Sequence, residues 1–180
     1  LNIQLVLDEP RAFTGFKARL VNFTNVRNYL ALVGPECKEL DGIVGYYGEQ
    51  LVLLAQSLGL NSCWVGGTYK GVNRAYNVDL GQKLAAVVAL GYGASQGVPH
   101  RSKAPQEVAP GYDGAPEWFK RGVDAALLAP TALNQQKFSF SLDGEENDVP
   151  VVRASTKRGA FTQMDLGIAQ CHFEIGAGNV

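Results

Sequence analysis

The sequence predicts a mixed α/β chain, and three observations carry the prediction. Residues 28–34 and 84–92 are almost unbroken apolar runs, the pattern of strands buried on both faces. Residues 40–58 repeat apolar side chains at three- and four-residue steps, as a helix does. Phe138-Ser139-Phe140-Ser141-Leu142 alternates, and a second strand-like run follows at 149–154, as in a hairpin.

In chain order, Ile3, Leu5 and Leu7 alternate with Asn2, Gln4 and Val6 as a first strand, which Asp8-Glu9-Pro10 ends. Residues 11–27 contain Gly15 and several basic side chains and read as loop with a short helix. The strand at 28–34 leads through Pro35 to the helix at 40–58. There Ile43, Tyr47, Leu51, Leu54, Ala55 and Leu58 mark the face expected to be buried, and Gly59 is a natural stop. Residues 77–81 read as turn material before the strand at 84–92. Residues 94–116, rich in Gly, Pro and Ser, read as a linker or crossing arm. Pro116 opens a second helix with Phe119, Val123, Ala126 and Leu127 on its apolar face, ending at Pro130. Asp143-Gly144 is expected to turn the hairpin, and a final helix covers about 165–175. Its opening, Asp165-Leu166-Gly167-Ile168-Ala169, faintly echoes Asp41-Gly42-Ile43-Val44-Gly45.

Bulk properties exclude several classes. With 180 residues the chain suits one domain or two small packed halves. Its 46% hydrophobic and 18% charged residues supply a core and argue against disorder. A net charge of -1 with mixed signs gives no basic stripe, so no nucleic-acid partner is expected. Cys37, Cys63 and Cys171 are odd in number and far apart, against a disulfide framework or a zinc site, and point to a reducing cytoplasm. His100 and His172 lack metal-ligand spacing. No apolar run approaches the ~20 residues of a membrane helix, and no signal peptide is visible, so no membrane partner is expected. The chain opens inside a strand without Met and closes just past a helix, and so reads as a fragment of a longer protein.

Five segments are candidates for chemistry. In Trp64-Val65-Gly66-Gly67-Thr68 two glycines let the backbone approach a flat ligand and aim N–H groups at it; the competing reading is a tight turn. Ala129-Pro130-Thr131-Ala132-Leu133-Asn134-Gln135-Gln136-Lys137 offers amide donors and acceptors to a cofactor, or else Asn134 and Gln135 only cap a turn. His100-Arg101-Ser102-Lys103 can clamp a phosphate or be a solvated basic loop. Lys17 and Arg19 form a weaker basic pair, and Tyr46-Tyr47 can line a pocket or fill the core. There is no Gly-x-Ser-x-Gly elbow, no Walker loop and no Gly-x-Gly-x-x-Gly after a strand. Chemistry in such a chain falls to a bound cofactor.

Together, residues 45–67 and the segment 129–136 resemble the nitroreductase family, the first its central helix and flavin loop, the second its proline, small-residue, Asn and Gln signature. The final stretch 165–178 resembles the branch in which two half-units lie on one chain. The resemblance implies an α+β fold, a nitroreductase-like α/β/α sandwich with a mixed, mainly antiparallel sheet flanked by helices. It implies a first half over 1–108 and a second over 109–180. It also implies an FMN cofactor, NAD(P)H as electron donor and a small-molecule acceptor such as a nitro compound or quinone.

Carried over by residue, Gly66 and Gly67 match the loop facing the flavin N5 edge. Pro130, Thr131 and Asn134 match the signature that reaches the flavin from the other half-unit. Arg101 and Lys103 match the basic segment that holds the FMN phosphate. No catalytic side chain and no metal site is implied, and the protein is expected as a pseudo-dimeric monomer or a homodimer. The family's Arg-rich opening motif has no counterpart here, and Lys137 stands where a proline often follows the signature Gln. Alternatives left open are a flavin-binding protein without efficient turnover, and a flavin-processing or dehalogenation-type relative.

Overall fold

The structure, a computed structural model, describes residues 1–14 and 23–178. Gly15, Lys17 and Arg19 lie outside the described residues. Contacts divide the chain into two compact units: Leu1–Val44 with Gly48–Val98, and Gly45–Tyr47 with Pro99–Val180.

The first unit holds strands β1 (Asn2–Val6), β2 (Asn28–Pro35), β3 (Asn61–Val65) and β4 (Gln82–Gly91) in one antiparallel sheet of order β1-β2-β4-β3. The inner strands β2 and β4 are the two apolar runs of the sequence, and Tyr29 to Val33 and Ala86 to Ala89 are buried. Strands with a neighbour on each side and cover on both faces need apolar side chains throughout. The edge strand β3 buries only Val65. On one face of the sheet Val6, Phe13, Tyr29, Ala31, Val65, Val87 and Ala89 share a core.

Helix α1 (Leu40–Ser57) ends as its sequence predicts. Gly59 takes φ 78°, its N–H donates to the Gln56 carbonyl, and the Leu60 N–H donates to the Ala55 carbonyl. This left-handed cap satisfies the last helical carbonyls, and glycine adopts it without steric cost. The expected buried face is corrected. Ile43 (40%), Tyr47 (49%), Leu54 (52%) and Leu58 (64%) are exposed, and only Ala55 of that set is buried. The buried stripe is Leu40, Val44, Gly45, Gly48, Glu49 and Ala55. Close approach through glycine decides the face: a Cβ on Gly48 would lie 2.4 Å from the Trp64 ring.

The second unit holds α2 (Pro105–Val108) and α3 (Glu117–Ala126), then the hairpin β5 (Phe138–Glu146) and β6 (Val149–Thr156), then α4 (Thr162–Ala177). The region read as a linker thus contains a short helix. Helices α3 and α4 meet through small residues, Gly122 beneath Phe173 and Gly176 against Arg121 and Ala125. Phe140 stacks on Phe173 with centroids 4.6 Å apart, and Phe119 meets Phe173 edge-on at 5.5 Å. Gly45 belongs to this unit, and a Cβ there would lie 2.1 Å from the Met164 carbonyl oxygen.

The hairpin turn is also corrected. Glu146 pairs with Val149, so Asn147 and Asp148 form the two-residue turn, with φ 51° and 62°. Two left-handed residues make the turn whose twist matches the strands, and Asn and Asp tolerate that conformation. Gly144, at φ 79°, sits in a register shift within β5, where the Asp143 carboxylate pairs with Arg153. Among the described residues no helix is long and apolar enough to cross a membrane, and no His, Cys, Asp and Glu group could hold a metal ion. The observed architecture is α+β with antiparallel ladders, as the resemblance implies.

Candidate functional site

The segment after α3 cannot continue as helix because Pro130 follows, and it turns sharply into β5. Leu133, Asn134 and Gln136 all take left-handed backbone, at φ 54°, 52° and 43°. That conformation costs a non-glycine residue roughly 1–2 kcal/mol, so surrounding contacts must hold it. Gln136 is the centre of those contacts. It is 2% exposed, and each of its polar groups is engaged. Its N–H donates to Thr131 Oγ1 at 3.1 Å, and its Oε1 accepts the Lys103 N–H at 2.9 Å. Its Nε2 donates to the Arg101 carbonyl at 2.8 Å and to Asn134 Oδ1 at 2.7 Å. Its own carbonyl accepts Lys103 Nζ at 2.6 Å. Asn134 Nδ2 completes the knot by donating to the Arg101 carbonyl at 2.9 Å.

A second clasp is Asp165, 3% exposed at the start of α4. Its Oδ1 accepts the Ala132 N–H at 2.9 Å and its Oδ2 accepts Gln135 Nε2 at 2.7 Å. Gln135 Nε2 also donates to the Ala160 carbonyl. Burial pushes the Asp165 carboxyl above its ordinary value, and the two hydrogen bonds pull it back in part.

The expected site residues fall as follows. Arg101, Lys103, Thr131 and Asn134, from segments about thirty positions apart, meet around Gln136. Pro130 is exposed at the entry to the turn. The Asn134 amide is engaged on both sides, its Nδ2 with the Arg101 carbonyl and its Oδ1 with Gln136 Nε2. The Arg101 guanidinium is exposed and has no polar partner among the described residues. Beside it, His100 Nδ1 is buried and has no hydrogen-bond partner there either. Lys103 keeps N–H groups beyond the one given to Gln136. An exposed arginine whose side chain has no partner among the described residues, two positions from Lys103, suits an anionic group such as a phosphate, the chemistry of one end of FMN.

Gly66 and Gly67 belong to the first unit and bend away from the end of β3, Gly66 half-buried and Gly67 exposed. Of the tyrosine pair, the Tyr46 hydroxyl donates to the Glu174 carboxylate, and Tyr47 is exposed rather than core. A cleft of about 460 Å³ in the second unit is lined by Trp118, Phe140, Phe173 and Glu174 among others, and none of the expected residues lines it. Sequence reasoning missed Gln136 and Asp165. The signal for Gln136 was present, because it follows Asn134 by two in the signature and can make more bonds than a capping residue needs.

This chain belongs to the nitroreductase family described as "Putative TM nitroreductase", whose profile matches residues 1–177. A solved structure described as a "putative nitroreductase" from Thermotoga maritima is similar in fold, with a TM-score of 0.68 at 19% sequence identity. The similarity covers 98% of this chain and 65% of that one, so the chain spans about two thirds of its solved relative. No curated protein matches.

Proposed function

We propose that the chain is part of an FMN-dependent oxidoreductase that passes electrons from NAD(P)H to a nitro compound, a quinone or a similar small acceptor. Family membership supports the oxidoreductase class. The observation that carries the cofactor reading is the Gln136 knot, which draws Arg101, Lys103, Thr131 and Asn134 together around one buried amide. FMN, when bound, supplies the two-electron chemistry. Arg101 offers charge-assisted donors to the phosphate, and Lys103 adds a second charge. Asn134 and Gln136 fix the backbone carrying them, so that the donors are oriented before the ligand arrives. Pro130 and Thr131 shape the entry to the turn. In the first unit, taken by itself, the Gly66–Gly67 loop is read as offering backbone N–H donors to a flavin edge, where negative charge builds on reduction. A cytoplasmic location and a pseudo-dimeric or homodimeric assembly belong to the same proposal.

The test is FMN titration by flavin fluorescence with wild type and Arg101→Ala. One charge-assisted hydrogen bond is worth very roughly 1.5–3 kcal/mol, so the variant should bind at least about tenfold more weakly. Equal affinity in the two proteins would remove Arg101 from the phosphate site.

A further inference from the structure

Glu49 is a buried acid that the cofactor reading leaves unused. It lies on α1, is 1% exposed, and its Oε2 accepts the Trp64 indole N–H at 2.8 Å. A carboxylate is costly to bury and is tolerated where it is hydrogen-bonded. Trp64 lies on β3, an edge strand whose ladder, among the described residues, runs to β4 alone, with Trp64 opposite Val88 and Val65 opposite Val87. The indole ring rests on Gly48, where a side chain would collide with it. Successive strand residues point to opposite faces, and Val65 enters the core that contains Tyr29 and Ala31. The last two residues before Gly66 are therefore pinned on opposite faces, one by apolar burial and one by Glu49. Gly66 and Gly67 have no side chains with which to anchor themselves, so on one side their placement is inherited from this strand end, and on the other from Lys70, whose N–H donates to the Ala12 carbonyl at 2.8 Å.

We infer that Glu49 is a positioning residue for the Gly66–Gly67 loop, acting through the Trp64 indole N–H. The assignment rests on the reading of that loop as flavin-facing, because backbone donors aimed at developing charge are effective when held in place beforehand.

Amide hydrogen exchange over residues 64–69 of the flavin-free chain tests it, for wild type, Glu49→Leu, Glu49→Gln and Trp64→Phe. Losing one hydrogen bond should speed loop exchange about tenfold in Glu49→Leu and Trp64→Phe. Glu49→Gln keeps an acceptor for the indole and should exchange at the wild-type rate. The rise must be confined to the loop, with β2 and β4 amides unchanged. Wild-type loop exchange in Glu49→Leu and Trp64→Phe overturns the inference. So does a Glu49→Gln chain that behaves like Glu49→Leu, or a rise spread over the whole sheet. Should Glu49→Leu fail to fold, 3-benzothienylalanine in place of Trp64 decides, since it keeps a bicyclic ring against Gly48 and replaces the N–H with sulfur. FMN affinity of the same variants separates the two layers. Faster loop exchange with unaltered affinity upholds the clamp and refutes the flavin role of the loop.

Discussion

The sheet of the first unit and the turn of the second are held by opposite means. In β2 and β4 the backbone ladder satisfies the polar groups, and apolar side chains fill both faces. One polar atom there is surplus: the Tyr29 hydroxyl is buried with no hydrogen-bond partner among the described residues. In the turn at 130–136 the backbone makes few regular bonds and three residues are left-handed, so side chains do the holding. Every polar group of Gln136 is used. A ladder tolerates a wasted hydroxyl, and a turn built from side chains tolerates no such loss.

The largest expected effect lies outside both regions and sets the scale. Gly45→Ala would place a Cβ 2.1 Å from a backbone oxygen of Met164, which has no rotamer with which to yield. It should cost about 3 kcal/mol in urea unfolding, despite the better helix propensity of alanine. Next, Gln136→Ala strands the Lys103 N–H and the Asn134 amide oxygen and should cost about 2 kcal/mol, with FMN affinity falling in parallel. An unaffected chain would break the comparison, by showing that the turn stands without its hub. In the sheet, Tyr29→Phe removes the surplus hydroxyl and should be neutral or stabilising, by up to about 1 kcal/mol in thermal unfolding. Burial holds the Tyr29 phenol up at about 12, so in wild type its contribution is present below the ordinary value of 10.0 and is lost as pH rises through about 12. Tyr29→Phe should flatten that alkaline decline.

The smallest effect belongs to Asp165. Its pKa in the fold lies above the ordinary 3.8, so the native state binds the proton more readily than the unfolded chain. Its contribution is therefore fully present below 3.8 and is lost as pH rises through the raised value. Asp165→Asn should gain on wild type as pH rises from 3.8 through the raised value, by about 1 kcal/mol or less, and keep that gain above it. A constant difference across that range would show that the carboxyl titrates normally in the fold.

What the sequence made legible follows the same division. Strands β2 and β4, α1 with its Gly59 stop, and the apolar face of α3 were readable because burial writes itself as a pattern of residue types. The buried face of α1 was not, because Gly45 and Gly48 select it by being small, and a pattern search looks for large apolar residues. The hairpin turn was misplaced because Asp143-Gly144 carries the stronger turn signal, although its glycine serves a register shift. The signature was recognisable as a string. That Gln136 ties Lys103 and Arg101 to it was not, since hydrogen bonds between segments far apart in sequence leave no local mark.

The central claim is that the Gln136 knot belongs to an FMN site. The most direct measurement is FMN titration into wild type and Gln136→Ala, followed by quenching of flavin fluorescence and by retention of flavin colour through desalting. The account predicts saturable one-to-one binding by wild type and, since about 1.4 kcal/mol is tenfold, binding weakened about tenfold or more in the variant while its circular dichroism stays folded. Wild type that neither quenches nor retains FMN, or a folded Gln136→Ala chain that binds it equally well, would contradict the account.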